Sequence, residues 1–297
     1  MRNRIVTCGW AFLVIAAIST LAVNSTDAHV KLSVEQVLRR THPDLIVNAA
    51  AMHHVECCEQ DPETAYRINA LGPRNLATVA KSVGAILMHV STDYVFDGAT
   101  SEPYEESDVP RPLNVYGRTK LAGELAVQHT LERHFVIRTS ALYGSHPCRG
   151  KGGLNFVELM LKLGRERGRV RVVDCEVVTP TSTWQLAEQM VRLSRTDSFG
   201  LLHATAEGSC SWYDFAREIF AVADLPVEVA IADPQEFPSK VPRPRYSVLE
   251  NARLKDFGIN CFIPWQEGLR QYFGSTWAAG ERSHNDVPLS QPGALLM

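Results

Sequence analysis

Short apolar runs alternate with longer amphipathic stretches along most of the chain. Because each run is continuously apolar, it is typical of a strand covered on both faces of a parallel sheet. The stretches between the runs carry apolar positions three and four apart, which predicts helices. This order of strand, helix and strand predicts a doubly wound parallel α/β sheet with right-handed connections. The predicted strands are Leu45–Val47, Ile86–Val90, Phe135–Ile137 and Val170–Val173.

Two of the predicted helices have distinct sequence signals. Asp61 followed by Pro62 is a helix start, because aspartate caps free N–H groups and proline fits the first helical position. The stretch from Leu113 to Thr130 contains good helix formers. The apolar face expected for this second helix consists of Leu121, Leu125 and Ala126.

The composition of the sequence changes near residue 145: the predicted loops become longer, and proline-rich segments follow. We therefore divide the chain into a sheet-forming part over residues 1–145 and a smaller, mixed part over residues 146–274, with a helix at Trp212–Ala223. Residues 275–297 contain Gly, Ser, Asn and Pro without apolar periodicity, so we expect a disordered tail there. Ligands of doubly wound sheets bind beyond the carboxyl ends of the strands, and residues that follow those ends are the candidates for function.

Composition and charge narrow the class of protein. Of the 297 residues, 45% are hydrophobic and 21% are charged, as in ordinary globular domains. A net charge of −3 argues against a general nucleic-acid binder, which needs a basic face. The seven cysteines are scattered and form no CxxC pair, which favours reduced thiols in a cytoplasmic protein over a disulfide framework.

The N-terminal segment combines a basic start with an apolar run from Trp10 to Val23. This pattern is similar to a signal peptide, but the run of 14 residues is shorter than the roughly 20 that span a bilayer. Two interpretations stay open: a cleavable signal, or a strand or helix of a globular fold. The cysteine pattern favours the second, and we expect no membrane association.

Two adjacent pairs, His53 with His54 and Cys57 with Cys58, suggest a metal site at first sight. Adjacent side chains point in different directions on a helix or strand, so both members of a pair cannot easily reach one ion. We therefore expect no metal here.

The strongest chemical motif is the pair Tyr116 and Lys120, which share one face of the predicted helix about a turn apart. A free tyrosine has a pKa near 10 and is a poor acid–base catalyst at neutral pH, but a nearby ammonium group lowers that pKa. Thr92 follows the end of a predicted strand, where its hydroxyl can meet the same substrate oxygen. The three residues predict an acid–base site beyond the strand ends.

These residues belong to a longer series of motifs that occur in order between about residues 41 and 273. With this series, the chain resembles the extended short-chain dehydrogenase/reductases, and among them the dTDP-4-dehydrorhamnose reductases. The motifs are Asn48–Ala51, Asn69, Gly72–Leu76, Ser91–Gly98, Arg111–Glu124, Arg138–Ser140, Asn155–Phe156, Thr179–Thr181, Ser211–Tyr213, Arg243–Pro244 and Ser247–Leu249.

The resemblance implies reduction of a 4-keto deoxy-sugar nucleotide with NADPH or NADH. Residues 1–145 would then hold the dinucleotide in a Rossmann-like sheet, and residues 146–274 would bind the substrate. In this scheme Tyr116 protonates the alkoxide at C4, Lys120 lowers the tyrosine pKa and holds the nicotinamide ribose, and Thr92 hydrogen-bonds the carbonyl oxygen. The implied cofactor-binding residues are Ala49, Ala50, Ala51, Asn69, Ser91, Tyr116 and Lys120. The implied substrate-binding residues are Asp93, Tyr94, Asn155 and Arg243. The nucleotide sugar is the expected partner, and a homodimer is left open.

Three departures from the family's pattern bear on this expectation. Such reductases open with a strand, a GxxGxxG turn and a helix that binds pyrophosphate, but Gly9 is the one glycine among the first 71 residues. Ala141 stands where a bulky aromatic is usual, and His53 replaces a cofactor-side hydroxyl. Two alternatives follow. One is a truncated or non-catalytic member that acts as a binding or regulatory protein, like the regulatory subunit of methionine adenosyltransferase. The other is a nucleotide-sugar epimerase, which would need a tightly retained NAD.

Overall fold

The computed structural model describes residues 12–14, 35–146, 153–233 and 241–277. Five parallel strands form its central sheet, which confirms the predicted α/β architecture, and three of the four predicted strands lie in it. In the order in which they lie side by side, the strands are β1 (Phe12–Val14), β2 (Leu45–Asn48), β3 (Ile86–Val90), β4 (His134–Arg138) and β9 (Gly200–His203).

Strand β1 lies within the apolar run that is similar to a signal peptide. It pairs in parallel with β2, and Leu13 stands beside Ile46. Residues 12–14 therefore form a strand of the fold, as the second interpretation of this run expects.

Helices cover both faces of the sheet. Residues 35–41 form a helix that packs on one face together with the longer helices Gly72–Val83 and Val115–Thr130, whereas the helix Thr183–Leu193 packs on the opposite face. Alternate strand residues point to opposite faces, so Ile46 and Leu87 join one apolar cluster while Leu45 and Met88 join the other. The helices of this half are α1 (Val55–Gln60), α2 (Pro62–Tyr66), α3 (Gly72–Val83) and α4 (Val115–Thr130), and the later one is α6 (Thr183–Leu193).

The predicted helix start at Asp61 is confirmed. Its side chain accepts a hydrogen bond from the Thr64 backbone N–H over 3.0 Å, and Pro62 occupies the first turn of α2. A π-helical stretch, Arg67–Leu71, then connects α2 to α3.

The apolar face predicted for α4 is wrong. Leu125 is 46% exposed, and Leu121 and Ala126 are only partly buried. The helix turns a different face inward because its glycines allow close contact with its neighbours: a Cβ on Gly123 would lie 2.2 Å from the Asn69 carbonyl oxygen. The buried residues of α4 are Gly117, Thr119, Lys120, Gly123, Glu124 and Val127.

The chain leaves the central sheet after β4 and returns to it for β9. Leu202 of β9 pairs with Ile137 of β4, so the last strand comes from beyond the boundary expected at residue 145. The shorter strands of this half are β5 (Leu142–Tyr143), β6 (Arg169–Val172), β7 (Val177–Val178), β8 (Thr181–Ser182), β10 (Cys210–Ser211) and β11 (Glu228–Ile231). The remaining helices are α5 (Phe156–Arg167), α7 (Trp212–Val222), α8 (Ala252–Asp256) and α9 (Trp265–Trp277).

In this half, the sequence predicts a helix, a strand and a disordered tail. The helix predicted at Trp212–Ala223 is confirmed as α7. The strand predicted at Val170–Val173 is β6, but it pairs with β11 outside the central sheet, and its arginines are exposed while its valines are buried. It is therefore covered on one face instead of two. Residues 275–277 of the predicted disordered tail are helical because α9 continues to residue 277, and residues 278–297 lie outside the described residues.

Among the helices of the described segments, none is long and apolar enough to cross a membrane.

Candidate active site

Three chain segments meet beyond the carboxyl ends of neighbouring strands. The loop 49–54 follows β2, the turn 91–94 follows β3, and residues 139–140 follow β4. Helix α4 packs against the turn so closely that a Cβ on Gly117 would lie 2.2 Å from the Tyr94 carbonyl oxygen. The parallel sheet thus brings the predicted catalytic turn and the Tyr116–Lys120 helix together.

Tyr116 lies in the centre of this arrangement. Its ring meets the ring of Tyr94 edge to face, with centroids 5.7 Å apart. Burial raises the pKa of Tyr116 above its ordinary value, and a hydrogen bond with Thr92 acts in the opposite direction. The sequence predicts a lowered pKa through Lys120, whereas in the structure burial is the largest influence on the pKa of Tyr116 and acts in the opposite direction. A protonated phenol is the form that a proton donor requires.

Lys120 is buried below the site. Its Nζ donates to the Val90 carbonyl oxygen over 2.7 Å and lies 3.5 Å from His89 Nε2. Burial lowers the pKa of Lys120 to about 8, although Glu124 on the same helix favours the charged form. The lysine therefore changes its charge close to physiological pH.

The hydroxyl of Thr92 is oriented by the neighbouring carboxylate. Thr92 Oγ1 donates to Asp93 Oδ1 over 3.0 Å and accepts the Tyr94 backbone N–H. Asp93 Oδ2 accepts from two more hydroxyls, Ser140 at 2.9 Å and Ser247 at 2.6 Å. Burial raises the pKa of Asp93, and the hydroxyl donors counteract this. Asp93, expected to contact substrate, is instead enclosed and holds Thr92 in place.

A buried charge pair lies behind Thr92. Glu124 of α4 accepts hydrogen bonds from Arg138 Nη2 at 2.8 Å and from Arg138 Nε at 3.0 Å. The Ser91 hydroxyl donates to the same carboxylate over 2.5 Å. Ser91 was expected at the cofactor, but its hydroxyl is occupied here and connects β3 to α4.

The expected cofactor residues after β2 divide into two groups. Ala49, Ala50 and Ala51 form an accessible loop with small side chains. Asn69 is fully buried: its Oδ1 accepts the Met52 N–H over 2.9 Å, and its Nδ2 donates to the Met52 carbonyl and to Thr119. Asn69 therefore holds the loop against α4 and does not line an open cleft.

Arg243 reaches the site from the C-terminal part of the chain. Its Nη1 lies 3.5 Å from the Tyr94 hydroxyl, and its Nη2 forms an ion pair with Glu56. The structure thus brings Arg243 and Tyr94 together beside Tyr116. Asn155, also expected at the substrate, caps α5: it accepts from the Glu158 N–H and donates to the Gly144 carbonyl.

Sequence reasoning assigned no role to four of these residues: Glu124, Arg138, Ser140 and Ser247. A charged residue that ends a continuously apolar strand, as Arg138 does, is a usable signal because it must find a buried partner. The partner itself, on another helix, is not visible in a local pattern. Within the described segments, no three His, Cys, Asp or Glu side chains are grouped to hold a metal ion.

The chain is similar over most of its length to known proteins. Residues 11–276 match the RmlD substrate binding domain family. The chain belongs to this family. It is 38% identical over 261 residues to the dTDP-4-keto-6-deoxy-D-glucose reductase of Streptomyces niveus, covering 87% of this chain and 88% of that protein. The dTDP-4-dehydrorhamnose reductase of Escherichia coli K12 is 36% identical over 249 residues, covering 80% and 81%.

Among solved structures of the RmlD family, the dTDP-4-dehydrorhamnose reductase of Bacillus anthracis in complex with NADP is similar to this chain. It shares 38% identity with a TM-score of 0.79, covering 83% of this chain and 85% of the other. This chain is thus a homologue of oxidoreductases that act on dTDP-linked keto sugars, and the resemblance seen in its motifs is confirmed.

The described residues of this RmlD-family chain fit the nicotinamide end of such a cofactor. Among them, Val90 supplies the one oxygen that accepts from Lys120 Nζ, and an ammonium group has three donors. Val90 takes one of these donors, and a ribose hydroxyl would accept another if a nicotinamide nucleotide bound here. Such reductases carry a glycine-rich turn for the pyrophosphate near their start, where this sequence has Gly9 alone. Gly9 lies outside the described residues.

Proposed function

We propose that this protein reduces the 4-keto group of a dTDP-linked deoxy sugar, with NADPH or NADH as the reductant. One observation carries the proposal: Tyr116, a protonated phenol, contacts Thr92 at the carboxyl end of the sheet, while Lys120 lies one helical turn away. These are the side chains that a carbonyl reduction needs, and they are supported by a buried scaffold.

The proposed reaction creates negative charge on the carbonyl oxygen of the substrate, and this charge must be neutralised by a proton. A bound reduced nicotinamide would supply the hydride that adds to C4, and the carbonyl oxygen would gain negative charge. Tyr116 then donates its proton to that oxygen. The donor requires no rearrangement, because burial keeps its phenol protonated, and stabilisation of developing charge by preplaced donors is a major source of catalysis.

Thr92 and Lys120 would assist at opposite sides of this tyrosine. Thr92 Oγ1 is held by Asp93, and it can turn its proton to the substrate oxygen when the oxygen carries charge. The Lys120 ammonium stabilises the phenolate that forms after proton transfer. With a pKa near 8, Lys120 carries this charge at neutral pH.

We further propose that Tyr94 and Arg243 border the sugar nucleotide. Arg243 is adjacent to Tyr94 and is paired with Glu56, so an anionic substrate would compete with that carboxylate for the guanidinium. The names of the two relatives give different dTDP sugars as substrates, so the assay uses both kinds of sugar. All five described cysteines are free thiols, which is consistent with work in the cytoplasm.

A second function, that of a non-catalytic binding or regulatory protein, is favoured by one observation. The first 71 residues contain a single glycine, Gly9, whereas a dinucleotide-binding turn uses several. Cofactor binding therefore separates the two functions.

The experiment measures both steps on the full chain. Calorimetric titration with NADPH and with NADH tests binding, and loss of the reduced nicotinamide's absorbance with a dTDP-4-keto-6-deoxy sugar tests turnover. We expect micromolar binding and turnover that stops in Tyr116→Phe. Absence of binding to either nucleotide would refute the reductase and favour the second function.

A further inference from the structure

Three buried side chains form a row beneath the proposed site. Asn48 and His89 are paired residues of the parallel strands β2 and β3, so their side chains leave the same face of the sheet. Asn48 Nδ2 lies 3.0 Å from His89 Nδ1, and His89 Nε2 lies 3.5 Å from Lys120 Nζ. All three residues are at most 1% exposed, so bulk water does not compete for these contacts.

The hydrogen bonds of Asn48 determine which nitrogen of His89 carries a proton. Asn48 Oδ1 accepts the Ala50 backbone N–H over 3.2 Å, so the NH₂ group of the amide faces His89. An NH₂ group donates and cannot accept, so this contact favours an unprotonated Nδ1. Burial, together with the charge of Lys120, holds the pKa of His89 well below its usual value, although a hydrogen bond with the Asn48 backbone acts in the opposite direction. The ring is therefore neutral, with its one proton on Nε2, toward Lys120.

We infer that His89 is a positioning residue for Lys120, fixed by Asn48 in the tautomer that directs an N–H group at the lysine amine. An N–H donor destabilises the ammonium form and suits the free amine, which accepts it. Burial acts in the same direction, while the Val90 carbonyl and Glu124 favour the ammonium. Glu124 is also bound by the buried pair of hydrogen bonds from Arg138, which weakens its pull on Lys120.

The same asparagine connects the lysine to the loop that follows β2. Asn48 holds the Ala50 N–H with one end of its amide and the His89 ring with the other. We therefore expect a change in the loop at Ala50 to reach Lys120 through three successive hydrogen bonds, from Ala50 to Asn48, to His89 and to Lys120. The effect on turnover rests on the proposed function, but the tautomer and the lysine charge do not.

The first test is the tautomer of His89 in the unmodified protein. Long-range ¹H–¹⁵N correlation spectra of the histidine rings, assigned by His89→Phe, report which nitrogen is protonated. We expect Nε2–H throughout the pH range in which the protein is folded. A proton on Nδ1 of the unmodified protein would overturn the inference.

The second test inverts the tautomer. In Asn48→Asp the carboxylate only accepts, so it favours the tautomer whose Nδ1–H donates to it. Nε2 is then unprotonated and can accept from Lys120, while the carboxylate can still accept the Ala50 N–H. We expect the titration of Lys120 to move up by about one pH unit. It is followed by the ¹³Cε signal of Lys120, which Lys120→Arg identifies among the seven lysines.

Two controls separate transmission through the ring from other effects. In Asn48→Asp/His89→Phe the upward shift should fall to less than half, because the ring that transmits it is gone. His134→Phe removes another buried histidine at the opposite end of β4, and it should lower stability without moving the Lys120 titration. An unchanged Lys120 titration in Asn48→Asp, or an undiminished shift in the double variant, would overturn the inference.

The pH profile of kcat/KM connects the inference to catalysis. Its basic limb should move up in Asn48→Asp together with the Lys120 titration. If the unmodified protein shows no reduction at all, the proposed function fails, whereas the two NMR measurements still decide the role of His89.

Discussion

Arg138 Nη2 lies 2.8 Å from Glu124 Oε2 in an ion pair whose side chains are 2% and 0% exposed. The pair joins β4 to α4, and through Ser91 it also holds the end of β3. Burial of two charges costs roughly what their attraction returns, but removal of one partner leaves the other charge uncompensated. Loss of either partner should therefore weaken the packing of α4 on the sheet.

Arg138→Met should lower the free energy of unfolding by about 3–5 kcal/mol, because Glu124 is then buried alone. Urea denaturation measures this change. The double variant Arg138→Met/Glu124→Leu should recover more than half of the loss. Arg192→Met removes half of an exposed pair with Glu188 and should cost less than about 0.5 kcal/mol. An equally mild effect of Arg138→Met would contradict the importance of the buried pair.

Tyr116→Phe should reduce kcat at least about 100-fold, because it removes the proposed proton donor. NADPH affinity should change little, since the aromatic ring and its edge-to-face contact with Tyr94 persist. Steady-state kinetics and calorimetry check the two parts. Tyr66→Phe, at an exposed tyrosine, is the matched control and should behave as the unmodified protein. Turnover retained in Tyr116→Phe would remove this tyrosine from the mechanism.

Asp93→Asn should lower kcat by about 10–100-fold with a smaller change in KM. The amide presents an NH₂ group to hydroxyls that now donate to the carboxylate, so Thr92 must turn its proton away from its present position. Ser247→Ala, which removes one of three donors to Asp93, should have the same effect to a lesser degree. A rise in KM with unchanged kcat would indicate that Asp93 contacts substrate instead of holding Thr92.

Lys120→Met should abolish turnover and yet stabilise the fold by about 1–2 kcal/mol at pH 7. The pKa of Lys120 falls from an ordinary 10.5 to about 8 in the folded protein, so between these values the unfolded chain binds more protons. Stability of the unmodified protein should therefore rise with pH across this window, and the cost of burial is fully present below pH 8.

Chemical denaturation at several pH values checks this prediction. Lys120→Met should flatten the pH dependence between about pH 8 and pH 10.5. A variant that is less stable than the unmodified protein at pH 7 would show that the hydrogen bond to Val90 outweighs the burial of the charge.

Gly123→Ala should destabilise the protein by about 1–3 kcal/mol, because the new Cβ would lie 2.2 Å from the Asn69 carbonyl oxygen and must push α4 away. Gly274→Ala is the control: it lies in α9 with open space around it, and alanine favours a helix, so stability should be unchanged or slightly higher. Thermal unfolding followed by circular dichroism compares the two. Equal melting temperatures would contradict the close approach at Gly123.

Three of the five strands of the central sheet were predictable because a strand covered on both faces must be apolar along its length, as Ile86–Val90 is. Strand β9, Gly200–His203, was missed because it begins with a glycine and ends with a histidine. The inward face of α4 was not, because it carries a lysine, a glutamate and glycines whose burial depends on partners from distant segments. Asn69 shows the same limit: a family motif points to it, but its amide holds the loop at Met52. Asn155 is different, because its capping box with Glu158 spans three residues and is visible in the sequence. Local sequence thus indicates hydrogen bonds within a helix end, as at Asp61, but not those to distant segments.

The late return of the chain to the sheet has a consequence for biosynthesis. Strand β4 gains its outer neighbour only when Gly200–His203 has left the ribosome, more than sixty residues after β4 itself. Until then β4 presents an unpaired edge, which invites pairing with other chains. The first half therefore cannot reach its final form during synthesis on its own, and protection of this edge by a chaperone would matter most in that interval.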